Sequence, residues 1–116
     1  MRDDSRKYKA SPAGRRYIHF LTKLNSGDPD AMGAYVQEYF DEKFLAQHPV
    51  DEIVSWCMET YRETGGLNIY HVHFTEDYHV TVVTKAKSDG TLYQDTMKIN
   101  DKPPHKIIEY FHEQTE

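Results

Sequence analysis

The chain has 116 residues, with 14 Lys and Arg set against 19 Asp and Glu for a net charge of -5. That length supports one domain with one core, and the acidic balance argues against a surface that tracks nucleic-acid phosphates. A single cysteine, Cys57, excludes an intramolecular disulfide; its apolar neighbours suit an inert core thiol, and nothing demands an oxidising compartment.

Arg2, Arg6, Lys7, Lys9, Arg15 and Arg16 concentrate basic charge at the start, and residues 1–11 are expected to form a flexible basic tail ahead of a single domain over 12–116. No apolar run is long enough to cross a bilayer, no secretory signal is evident, and no repeat or low-complexity segment occurs. The expectation is a cytoplasmic protein without membrane or nucleic-acid partners.

Pro12 opens the first predicted helix with Ser11 as its cap, and Tyr17, Phe20, Leu21 and Leu24 recur at the spacing of one buried stripe. Asn25-Ser26-Gly27 ends it. Asp28-Pro29-Asp30 then supplies a cap, a proline in the first turn and an acid near the positive end of the dipole, before Met32, Tyr35, Val36, Tyr39 and Phe40 repeat the stripe. Residues 41–48 read as a connector. Pro49 begins a third helix whose face, carrying Val50, Ile53, Val54, Trp56, Cys57, Met58 and Tyr61, is wide enough to suggest burial on two sides, between the sheet and the other helices. Gly65-Gly66 stops it, one glycine taking the left-handed conformation.

From that glycine pair onward the hydrophobic period becomes two. Residues 67–74, 78–86, 91–99 and 105–112 read as strands, joined by Thr75-Glu76-Asp77, Ser88-Asp89-Gly90 and a proline-bearing loop over 100–104. Three helices followed by four strands predict an α+β fold, with the helices packed on a curved four-stranded antiparallel sheet. In an unbroken first strand, Leu67 and Ile69 point away from Val72 and Phe74. A β-bulge near Tyr70 and His71 would return all four to the core side.

A helix starting near Gly27-Asp28, the glycine pair before Leu67-x-Ile69-x-x-Val72, and Pro103-Pro104-His105-Lys106-Ile107 before the last strand together define a resemblance over roughly residues 12–112. They resemble the small accessory domain that precedes serine-hydrolase domains of the β-lactamase-like and tail-specific-peptidase-like kinds, within the cystatin-like, nuclear transport factor 2-like superfamily. The resemblance implies a cone of curved sheet wrapped on helices, and an accessory role with catalysis located elsewhere. This chain departs from the pattern in ending at Glu116, soon after the last strand, so neither nucleophile nor triad transfers onto it. The wider superfamily includes isomerases and dehydratases with an Asp base and Tyr or His partners inside the cone, but their motifs do not match here.

Three constellations carry chemistry. His71, His73 and His79 have metal-like spacing, yet they converge only if a three-residue turn centred on Glu76 sets His79 opposite His73; a two-residue turn dissolves the group. Asp95 lies on the more apolar face of its strand, with Tyr93, Met97 and Ile99. It therefore either points inward as a base or pairs with Lys85 at a wet edge, while Tyr61 and His73 are the remaining catalytic candidates. Tyr17, Tyr35, Trp56 and Tyr61 are expected to line an aromatic gap fit for a small apolar ligand. No cofactor motif, Gly-x-Ser-x-Gly elbow or phosphate loop occurs.

The outer sheet face, with Thr81 and Val83 beside His71 and His73, is too apolar to be purely wet, and a homodimer through the sheet would cover it. The leading expectation is thus a non-catalytic binding or interaction module, dimeric or partnered with a serine hydrolase or another protein. The alternative is a small pocket enzyme of isomerase or dehydratase type.

Overall fold

A computed structural model describes residues 5–115, and the side chains of residues 7–115. The elements run α1 (Ser5–Ala10), α2 (Pro12–Asn25), α3 (Pro29–Tyr39), α4 (Glu42–Gln47), α5 (Val50–Thr64), β1 (Leu67–Glu76), β2 (His79–Ala86), β3 (Leu92–Ile99) and β4 (Ile107–Gln114). The strands form one antiparallel sheet in the order β1-β2-β3-β4, so the α+β architecture with helices on a curled, open sheet is the one expected.

The helix starts follow their caps. Ser11 Oγ accepts from the Gly14 amide at 2.9 Å, and one Asp28 oxygen accepts from the Asp30 and Ala31 amides at 2.9 and 3.3 Å. Gly65, at φ 69°, closes α5 in the left-handed conformation, its amide donating to the Tyr61 carbonyl. Two further helices correct the sequence reading. The connector over 41–48 folds into α4 because Asp41 caps it, accepting from the Lys43 amide at 3.0 Å. The tail over 1–11 carries α1, which Tyr8 anchors at 2% exposure; residues 1–4, including Arg2, lie outside the described residues. α1 sits so close to α2 that a Cβ on Gly14 would lie 1.8 Å from the Tyr8 carbonyl oxygen.

The helix lying on the sheet is α2, whose buried Tyr17, Phe20, Leu21 and Leu24 face β1, β2 and β3. α5 packs mainly on α3 through its buried Ile53, Cys57, Met58, Thr60 and Thr64, and reaches the sheet through Trp56, whose ring meets Tyr110 and His112 of β4, so it lies between helix and sheet as its wide apolar face predicts. Burial at Cys57 pushes its thiol up to about 12, consistent with an inert core sulfur.

Bulges decide what the sheet presents. In β1 the register slips at Tyr70, as the apolar pattern predicted, and again at His73. Leu67 and Val72 are consequently both buried, but Ile69 stays 41% exposed on the edge strand. The second slip sets Phe74 beside Thr81 rather than returning it to the core. In β4 the register slips once, between the Ile99–Ile107 and Lys98–Glu109 pairs, which leaves Ile108 unmatched. Without it, Phe111 would oppose Asp95. With it, His112 does, Tyr110 turns inward beside it, and Phe111 is left 61% exposed.

Candidate active site

Asp95 projects inward from β3, between sheet and helices, and is 1% exposed. Three donors converge on it. The Tyr17 hydroxyl of α2 donates to Oδ2, the Tyr110 hydroxyl of β4 donates to the same oxygen at 3.2 Å, and His112 Nδ1 donates to Oδ1. A buried carboxylate so surrounded has its lone pairs satisfied, which is what permits its burial. Burial raises both phenols well above their usual range, and the negative charge of Asp95 adds to the effect. They therefore remain donors.

The imidazole is held from several directions. The Tyr93 ring stacks on it at 4.6 Å, Trp56 meets it edge-on at 5.2 Å, and only 11% of its side chain is exposed. Because an ionised carboxylate can only accept, the hydrogen bond places a ring proton on Nδ1, so the lone pair of the neutral imidazole is that of Nε2. An imidazole whose Nδ1 is held by a buried Asp is the chemical arrangement of a general base acting through Nε2.

His112 forms part of the wall of a cavity of about 330 Å³. Phe20 of α2, Phe40 and Phe44 at either side of the α3–α4 junction, Ile53 and Trp56 of α5, and Tyr110 of β4 supply its apolar lining. His48 and Glu52, exposed and 3.6 Å apart, border it with Phe111. The end of α3 is tied to the start of β4, where the Asp41 amide donates to the Ile107 carbonyl at 2.9 Å. That tie holds α4 against the strand carrying Tyr110 and His112.

The expected residues divide. Asp95 points inward, and Lys85 instead lies over the Tyr70 ring at 5.5 Å. Trp56 borders the cavity without filling it. Tyr17 stands behind the cavity on Asp95, Tyr35 donates to the Arg16 carbonyl at 3.2 Å beside a separate α2–α3 groove, and Tyr61 packs on Gly27. His73 is exposed on β1, apart from Asp95. The hairpin turn is Asp77-Tyr78, so His79 opposes Glu76 and meets Phe74 edge-on, while His71 and His73 sit with rings 6.2 Å apart. Among the described residues, no three or more His, Cys, Asp or Glu side chains are grouped to hold a metal.

The sequence reading missed His112 and Tyr110. Their only signal was the alternation of the last strand, and the bulge at Ile108 inverts that alternation. No helix among the described residues is long and apolar enough to cross a membrane. No family model, curated protein or solved structure matches this chain.

Proposed function

We propose that the cavity is a small-molecule site performing proton transfer of the isomerase or dehydratase type, with His112 as base, Asp95 as its orienting partner and Tyr17 and Tyr110 as buried donors that hold the carboxylate. The observation that carries this reading is the hydrogen bond from His112 Nδ1 to the interior Asp95 carboxylate, made by an imidazole in the cavity wall. Nε2 removes a proton from carbon adjacent to a carbonyl, and the imidazolium formed is stabilised by Asp95. The same proton then returns to another carbon of the substrate, giving an isomer, or passes to a departing hydroxyl, giving water. The proposal includes cystatin-like kinship and cytoplasmic residence.

Deuterium uptake from solvent at the α-carbon of a panel of small enolisable ketones, followed by NMR, tests it. The wild-type chain should accelerate exchange of at least one member, and His112→Gln should slow that exchange by about 10² to 10⁴-fold. Exchange that is absent throughout, or indifferent to the substitution, removes the reading.

A second reading, an interaction module dimeric through its sheet, is favoured by the exposed Phe74 and Phe111 on a face that also carries Thr81 and Val83. His71 and His73 lie toward the β1 edge, and Glu109 and Glu113 belong to the opposite edge strand, β4. A two-fold axis along the strands lays each edge over its opposite in a second copy, bringing imidazole to carboxylate. A serine hydrolase or another protein on that face is the competing occupant. Native mass measured over a range of concentrations should reach twice the chain mass and return to one with Phe111→Glu; a wild-type monomer throughout removes the dimer.

A further inference from the structure

The chemistry of the cavity wall narrows what it will take. Phe20, Phe40, Phe44, Trp56 and Tyr110 turn rings toward the space, and among the described residues no Lys or Arg lines it. The charges that bracket it are negative: Glu52 at its border, and Asp95 immediately behind His112. An anion entering here would exchange its hydration shell for ring faces and a wall backed by two carboxylates, in a chain whose net charge is already -5. A protonated amine meets the reverse situation, since ring faces attract cations and Glu52 supplies a partner at the mouth.

We propose that this site selects small organic cations with an aromatic body, of the arylalkylammonium class, and rejects carboxylates and phosphates of the same shape. This rests on the cavity as a ligand site but not on its proton-transfer step. The volume of about 330 Å³ suits a one- or two-ring molecule. The rings of Phe44 and His48, 5.1 Å apart, continue the aromatic lining out to Glu52, so the ammonium group lies toward the mouth and the ring toward Trp56 and His112.

Trp56 is the only tryptophan, so its fluorescence reports this cavity alone. Titration with phenethylammonium, 2-phenylethanol and phenylacetate compares nearly isosteric probes of three charges. The cation should bind about tenfold more tightly than the alcohol, as a partly desolvated cation over several rings allows, and the anion should bind most weakly. Glu52→Gln, a change at an exposed position, should reduce the cation's advantage by about threefold and leave the alcohol's affinity unchanged. Equal binding of cation and alcohol, tighter binding of the anion, or no binding by any of the three overturns the proposal. The ketone exchange experiment decides proton transfer separately, so the two readings fail on different observations.

Discussion

Replacing Asp95 with alanine is expected to lower the melting temperature by about 15 °C, corresponding to a loss of roughly 4 kcal/mol. The cause is not the lost carboxylate alone. Its removal leaves the Tyr17 hydroxyl, the Tyr110 hydroxyl and His112 Nδ1 without their acceptor in a buried site, and each orphaned donor costs about 1–3 kcal/mol. Thermal melts followed by circular dichroism measure the effect, and a shift of only a degree or two would show that the three donors find other partners. Because the groups act as one network, Asp95→Ala and Tyr17→Phe should be strongly non-additive, with a coupling of about 1–3 kcal/mol in a double-mutant cycle.

Asp95→Asn separates the structural from the chemical role. The amide keeps the volume and one acceptor, so the fold should survive with a smaller loss. An amide N–H turned toward His112 draws the ring lone pair to Nδ1 and moves the proton to Nε2, which leaves no base facing substrate. Whatever exchange activity the wild type shows should then fall by about 10³ to 10⁴-fold while the protein remains folded. Activity retained in a folded Asp95→Asn chain would mean that the tautomer is not what matters.

Legibility in the sequence followed how local each cause was. The caps at Ser11 and Asp28 and the stop at Gly65 depend on neighbours within four residues, so α2, α3 and the end of α5 could be read directly. The bulge at Tyr70 was legible because the apolar residues of β1 change parity there. α1 and α4 were less so. α1 depends on Tyr8 finding the core through a close approach at Gly14, and α4 on a single Asp41 cap under six residues of weak pattern.

The site was half visible for a related reason. Asp95 shares a strand face with Met97 and Ile99, and that parity marks it as inward. Its β4 partners, Tyr110 and His112, depend on a pairing across a loop of seven residues and on the single unmatched Ile108, neither of which leaves a compositional trace. Shifting that register by one residue would set Phe111 against Asp95 and put His112 outside. A base and its orienting acid were thus 17 residues apart in a sequence that did not show they meet.

The buried phenols should make the protein collapse at high pH. Burial holds Tyr8, Tyr17 and Tyr110 well above the ordinary phenol range and Tyr35 up at about 12, while the unfolded chain releases the same protons near 10. Each native group therefore keeps its proton where the unfolded chain has lost it. Their contribution to stability is whole below about pH 10 and is lost as pH rises beyond that value toward the native pKa. Every unit above 10 costs about 1.4 kcal/mol per group, so four together remove roughly 5 kcal/mol by pH 11, comparable with the whole stability of a small domain. Phenolate absorbance and circular dichroism followed together should show these four tyrosines ionising only as helix signal disappears. Tyr8→Phe gives the cleanest check, because its buried hydroxyl has no hydrogen-bond partner among the described residues. The substitution should be neutral or slightly stabilising at pH 7 and should raise the alkaline midpoint. Were the phenols to titrate smoothly near 10 with the fold intact, the tightly packed interior around Asp95 would have to be far more open to water than its burial implies.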